Sequence, residues 1–481
     1  MTESPPASQA AAPTSVRYRV LGFACTLSMI TYLDRACFGV AAPSIAGELG
    51  LTDVSQLKWA ITAFAIAYAV FEIPAGAMGD LLGPRRTLVR IVAWWSVCTA
   101  LTAAVGLRVG GTLVGGLGAL IALRFLFGAG EAGAYPNITR ALHNWFPARS
   151  WEMAQGLVFM SGRLIGGLTP LILAILVGGT ATTAPLMGWR SAFVLFGMIG
   201  LVWCVAFALW FRDRPADHPG VNAEERDLIG SEWNSSETHS AVPWRAMLTN
   251  RSLWALCLMY FLINYAWAFN MTYLPSYIEE RFSMSAGDKF GAMYKGAPLW
   301  IGAAGCFLGG FCVNGLARLL GDRRRARRVL GMTALSTGAA CWWAASHTDN
   351  VHLFCLAISM AAFCVDLTLG SSWATCQDLG REHAAVTAAC MNTIGTLGNA
   401  LAGWLTGTLV EQSLATTAAA QELSLTQLSK VDRHLAVLSG YDSAFATYVT
   451  VFIMAALCWT LIDPTRPISA GKSSVEPGQI A

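Results

Sequence analysis

Six ionisable side chains interrupt stretches that are otherwise apolar: Asp34 and Arg35, Glu72, Arg124 and Glu131, and Arg163. Arginine carries a planar, permanently charged fork that can hold a carboxylate through two N–H donors. A buried carboxyl group can take up and release a proton. A neighbouring arginine favours its ionised form, so an anion that neutralises the arginine favours the protonated acid. Together these residue types could link anion binding to proton movement. The stretch from Arg124 to Pro136 concentrates the pattern, with Arg124 and Glu131 seven residues apart. On a helix that is close to two turns, so both project from one face, about 10 Å apart along the axis. A charge at the centre of a bilayer costs about 2.5–3.5 kcal/mol even on a lenient scale, so this face must meet protein or a water-filled path. Gly128, Gly130 and Gly133 let a neighbouring backbone come close. The plainer reading is a buried ion pair that only joins two helices.

The elements that must position these groups are membrane spans. Of 481 residues 55% are hydrophobic and only 13% charged, with 18 Trp, half the charge density of an ordinary soluble chain. The net charge of +3 does not suggest nucleic acid as a partner. The 13 cysteines are scattered through apolar runs without a Cys-x-x-Cys pair, which argues for free thiols over disulfides or zinc. Apolar runs long enough to span fall near 17–42, 57–79, 87–107, 113–138, 152–178 and 189–211. They resume near 252–277, 291–317, 326–346, 351–375, 384–410 and 441–463. The expectation is an all-α polytopic membrane protein of twelve transmembrane helices in two pseudo-symmetric six-helix halves, 16–211 and 251–465. Residues 212–250 form a cytoplasmic linker, while 1–15 and 466–481 form cytoplasmic tails, the first disordered and no signal peptide.

Charge supports that orientation. With both termini inside, 21 of the 32 Lys and Arg lie in inside segments, eight outside, and three (Arg35, Arg124, Arg163) within spans. The external segment 411–440, with Leu423, Leu425, Leu428, Leu435 and Leu438, reads as one or two amphipathic helices over the outer face, a decoration rather than a lid.

Between the second and third spans runs Gly76-Ala-Met-Gly-Asp80-Leu-Leu-Gly83-Pro-Arg85-Arg86. Its acid, tight glycine turn and paired arginines resemble the signature loop of the major facilitator superfamily, with Leu81 where a basic residue is frequent. A degraded copy, Gly310 to Asn314 followed by the cluster Arg323, Arg324, Arg325, Arg327 and Arg328, lacks the acid. A conformational latch should therefore rest more on the first half. Tyr32-Leu-Asp34-Arg35, Tyr68 with Ile73-Pro74-Ala75-Gly76, Arg124 with Glu131, Gly188-Trp189-Arg190, Trp373 to Asp378, Met391-Asn392 and Asp463-Pro464 extend the likeness. They resemble the anion:cation symporter family, and within it bacterial hexuronate, aldonate and aldarate transporters. The resemblance covers nearly the whole chain except the first tail and 411–440.

It implies a proton-coupled symporter importing a sugar acid across a bacterial inner membrane, as a monomer, with the proton as coupling ion and no other cofactor or metal. Arg35 and Arg124 would hold the anion, Asp34 and Glu131 would carry protons, and Tyr32, Tyr68 and Asn392 would meet sugar hydroxyls. Glu72 and Arg163 stand where glutamine is usual in the family. If both face the cavity, Arg163 adds a third cation suited to a dianion and Glu72 carries an added proton. Alternatively the two pair with each other or meet other partners. Asp366 reads as a satisfied hydrogen-bond acceptor. The competing transporter reading is an anion exchanger whose acids are structural. An enzyme would need a nucleophile or metal-ligand cluster, and a nutrient sensor a signalling extension; neither is evident in the sequence.

Overall fold

The computed structural model describes residues 12–51, 54–109, 112–178, 186–230, 241–284 and 289–468. The first half comprises α1 (Val16–Glu48), α2 (Lys58–Leu82), α3 (Pro84–Thr102), α4 (Leu117–Glu131), α5 (Ala134–Trp145), α6 (Trp151–Leu173) and α7 (Trp189–Trp210). The linker carries α8 (Ala223–Ile229) and α9 (Trp244–Thr249). The second half comprises α10 (Arg251–Ala268), α11 (Leu274–Phe282), α12 (Lys289–Leu320), α13 (Arg323–Ser346), α14 (Val351–Gly380), α15 (Ala384–Ala420) and α16 (Lys430–Leu461). A small antiparallel hairpin, β1 (Leu107–Val109) and β2 (Thr112–Val114), joins α3 to α4.

Eight described helical stretches are long and apolar enough to cross a membrane, and one of them, Val351–Ala420, contains both α14 and α15. Such helices present large apolar side chains outward, as Val202, Leu209, Leu356 and Trp404 do, because lipid rather than water is their solvent. Within the first half α1 lies on α6, α2 on α4 and α3 on α7; the second half repeats the plan with α10 on α15, α12 on α14 and α13 on α16. The halves meet where α2 and α5 contact α15, and where α6 contacts α12 and α14.

Two glycines shape the first half. Gly133 breaks the fourth rod between α4 and α5 with φ +83°, and a Cβ there would lie 2.4 Å from that of Ala75. Gly83 turns α2 into α3 with φ +86°, against the carboxylate of Asp213. Both positions need the left-handed backbone and the missing side chain together. Gly128, read as a point of close approach, faces the backbone oxygen of Phe64 in α2, where a Cβ would lie at 2.4 Å. A Cβ on Gly130 would instead meet the indole of Trp94.

The segment 411–440 departs from the expected surface helices. Most of it continues α15 and α16 as straight extensions, joined by a turn after Ala420. Leu423, Leu425 and Leu435 are exposed rather than packed over an outer face, while Leu438 is buried. Leu423, Leu425 and Leu428 fall in the non-helical connection between α15 and α16, and only Leu435 and Leu438 lie on a helix, so the leucine spacing did not mark separate helices. Of the first tail, residues 1–11 lie outside the described residues. Thr14 bonds Asn222 and Glu225, and the same Glu225 carboxylate accepts from the backbone of Val16 and Arg17, tying the start of α1 to the linker. Residues 469–481 of the last tail also lie outside the described set.

Candidate substrate and proton site

Four charged residues, Asp34 and Arg35 of α1 with Arg124 and Glu131 of α4, come together inside the first half. Arg35 donates from Nε to Glu131 Oε1 at 2.7 Å, and its side chain remains 36% accessible while that of Glu131 is 1%. The guanidinium lies over the ring of Tyr68 at 4.9 Å and near that of Phe64 at 5.7 Å. Arg124 is buried in an aromatic cage, 4.3 Å from the ring centre of Phe38, 4.9 Å from Phe64 and 4.8 Å from Phe127. Its Nε has no hydrogen-bond partner among the described residues, nor does Oε2 of Glu131. Asp34 is buried, within electrostatic reach of Glu131 and Arg124, and neither of its carboxyl oxygens is bonded among the described residues.

The partner of Glu131 is therefore on α1 and not on its own helix. Arg124 is held by ring faces, which attract a cation without neutralising it. One partly accessible arginine and one caged cation share a site with two carboxyl groups, and among the described residues only one of those four carboxyl oxygens is bonded.

Arg163 and Glu72 lie at the boundary between the halves, and they do not pair with each other. Arg163 in α6 binds Asp366 of α14 through Nε and Nη2, both at 3.0 Å, and donates from Nη1 to the Tyr32 hydroxyl at 2.8 Å. Its guanidinium stacks 3.8 Å from the ring of Trp267, and the side chain is 10% accessible. Arg163 is thus no third free cation: Asp366, read as a plain acceptor, is its counter-ion. Asn392, read as a contact for sugar hydroxyls, donates instead to Glu72 Oε1 at 2.5 Å, and Thr393 donates to Oε2 at 3.0 Å. Tyr32 is engaged with Arg163 but stays partly accessible.

Polar contacts between the halves cluster toward the end that carries the linker. Both Asp80 oxygens accept from the first backbone amides of α15, Ala385 at 3.1 Å and Val386 at 2.8 Å, and Arg140 lies 3.7 Å from Asp80. An anion at a helix N-terminus meets unpaired N–H groups and the favourable end of the dipole. Gly76 allows α2 to touch α15, since a Cβ there would lie 2.7 Å from Ala389 Cβ. Arg85 donates its backbone N–H to Asp213 at 2.7 Å and its side chain to the Ala208 carbonyl, while Arg86 is exposed.

The second half is not the weaker partner in this seal, contrary to the expectation from Asn314. Glu152 of α6, fully buried, pairs with Arg323 and Arg327 of α13, and Arg327 also pairs with Asp378 of α14. The missing acid at position 314 is replaced by acids from two other helices. Sequence reading passed over Glu152, although an acid at an inside helix end facing an arginine cluster was a usable signal.

Comparison with known proteins agrees with this fold. The family model of the Major Facilitator Superfamily matches residues 24–403. The chain belongs to the major facilitator superfamily. A probable sulfoacetate transporter of Cupriavidus necator is 31% identical over 399 residues, covering 82% of this chain and 88% of that protein. A probable galactarate/D-glucarate transporter of Bacillus subtilis is 28% identical, covering 80% and 84% respectively. Among solved structures, the proton:xylose symporter bound to 6-bromo-6-deoxy-D-glucose superposes with a TM-score of 0.70 at 13% identity, over 94% of this chain and 96% of that one. The last likeness concerns the fold alone. For a major facilitator the boundary between halves is where a substrate path runs, and all six intramembrane charges singled out from the sequence lie on it or one helix behind it.

Proposed function

We propose that this protein is a proton-coupled symporter that imports a small organic anion, sugar acids foremost, by alternating access. In this reading all twelve long helical rods cross a bacterial inner membrane, the protein acts as a monomer, and both termini and the linker are cytoplasmic, as the arginine distribution favours. The Asp80 and Glu152 contacts then close the cytoplasmic end. The observation that carries the proposal is the Arg35–Glu131 pair: an arginine whose side chain is 36% accessible, held at 2.7 Å by a carboxylate that is itself buried.

An incoming carboxylate competes with Glu131 for the arginine fork. A proton taken up by Glu131 removes its negative charge, frees Arg35, and leaves the anion as the only counter-charge there. Arg124 supplies a second positive charge in the same field, and Asp34 a second proton acceptor. When the cytoplasmic contacts open, loss of the proton restores the Arg35–Glu131 bond and expels the anion. Binding of proton and anion is thus mutually favourable by linkage.

The test is uptake into proteoliposomes of a labelled panel containing galactarate, D-glucarate, galactonate, hexuronates and sulfoacetate, with and without an imposed proton gradient. The proposal expects at least one panel member to accumulate only when the outside is more acidic. Uptake that ignores the gradient but requires an internal anion would identify an exchanger instead.

A further inference from the structure

Glu72 has a setting unlike that of the other buried acids at the boundary. Asp366 and Glu152 each face an arginine of the opposite half. Among the described residues Glu72, at 0% exposure, is bonded across the boundary only by neutral groups, the Asn392 amide and the Thr393 hydroxyl of α15. The titratable groups that face it are Arg35 of α1, Tyr68 of α2, Tyr260 of α10 and Cys390 of α15, and none of them is bonded to it as a cation in the way Asp366 is. A buried carboxylate without a bonded counter-ion is costly, and proton uptake removes that cost.

Its partners suit both protonation states. A hydroxyl can donate or accept, and an amide can present either its N–H or its oxygen. The same two residues can therefore satisfy Glu72 as an anion or as an acid. The site also borders the anion site: Tyr68, one helical turn before Glu72, has its ring under Arg35. Arg35 is a permanent charge whose field acts on Glu72, and in the symporter reading its charge is balanced by either Glu131 or a bound anion. Separation of α2 from α15, which opening of the cytoplasmic end requires, removes both α15 partners of Glu72 at once and leaves it Tyr68 of its own helix.

We propose that Glu72 is an additional proton-carrying residue, separate from Asp34 and Glu131 and independent of Arg163, whose proton exchanges as α2 and α15 part. This rests on the symporter reading above. Each transported anion would then bring one more proton, and one more positive charge, than the α1–α4 cluster alone supplies.

Two measurements on the full-length purified protein separate this idea from the symporter reading. Infrared difference spectra across a pH titration need no substrate. Glu72→Gln should remove one titrating protonated-carboxyl band, and Thr393→Val, which deletes one partner, should move the midpoint of that same band. Reversal potentials for labelled D-glucarate and sulfoacetate in proteoliposomes should give a proton-to-anion ratio lower by one in Glu72→Gln. A band indifferent to both variants, or an unchanged ratio, overturns the role of Glu72 and leaves the symporter standing. If neither anion is taken up by the parent protein, the substrate class fails while the infrared titration still decides Glu72.

Discussion

Two arginine–carboxylate pairs within the helical bundle of this molecule have different surroundings. Arg35 binds Glu131 within one half through a single nitrogen, and its side chain is 36% accessible. Arg163 binds Asp366 across the halves through two nitrogens, donates a third bond to Tyr32, stacks on Trp267, and is 10% accessible. Identical chemistry therefore has two uses. A singly bonded, accessible guanidinium can exchange its carboxylate for a ligand. A doubly bonded, stacked guanidinium has little left to offer one, and its pairing holds the halves in register. Accessibility and the number of unfilled donors separate a binding cation from a structural one more sharply than its position in a span does.

The largest expected effect comes from removing the accessible partner. Arg35→Ala should cost about 2–5 kcal/mol of anion binding, the usual penalty for truncating a buried charge pair, or roughly thirty- to several-thousand-fold in uptake efficiency. Protein levels in the membrane should hold, because Glu131 can become neutral by taking a proton. Lysine should rescue poorly, since it lacks the fork. Near-normal initial rates of labelled anion uptake in Arg35→Ala would place binding elsewhere.

Glu131→Gln should separate exchange from accumulation. The neutral side chain mimics the protonated acid throughout the cycle, so counterflow of labelled anion should persist while accumulation driven by a proton gradient falls to background. Full accumulation in this variant would make the Arg35–Glu131 pair structural, and the contrast with Arg163–Asp366 would collapse.

How far the sequence carried this reading depended on whether a feature was local. Charges in apolar helices are a strong physical constraint, so Asp34, Arg35, Arg124 and Glu131 could be singled out together before any contact was known. Choice of partner was not local. Spacing placed Arg124 and Glu131 on one face, yet Glu131 turns to Arg35 on α1 because Arg124 is enclosed by Phe38, Phe64 and Phe127. The counter-ion of Arg163 and the α15 partners of Glu72 lie more than 200 residues away in sequence, across a boundary that no periodicity encodes. The latch was misjudged for the same reason: Asn314 suggested a weak second half, whereas Glu152 and Asp378 supply the acids from other helices.

The structural pair makes a different prediction from the accessible one. Asp366→Asn leaves Arg163 buried without its counter-ion, which should destabilise the protein by about 3–5 kcal/mol. The thermal midpoint in detergent should drop, with loss of protein from the membrane. Replacing both members with apolar residues, as in Arg163→Met with Asp366→Leu, should recover much of that stability, since the desolvation cost disappears with the charges. A single variant as stable as the parent would show that Arg163 is compensated by something other than Asp366.

The smallest expected effect is on selectivity. A third free cation beside Arg35 and Arg124 would favour substrates with two negative charges, and its removal would shift preference toward monoanions. With Arg163 held by both Asp366 oxygens, its field at the anion site is largely cancelled by a carboxylate 3.0 Å away. The informative variant is Arg163→Gln combined with Asp366→Asn, which removes both charges and keeps polar groups of similar size. The ratio of galactarate to galactonate uptake should then change by less than about threefold, the ~0.65 kcal/mol expected when a nearly neutral pair is exchanged for a neutral one. A tenfold fall in that ratio would mean that a bound dianion draws Arg163 away from Asp366. The two arginines would then form one binding site, with Arg35 and Arg163 both engaged by the same bound dianion.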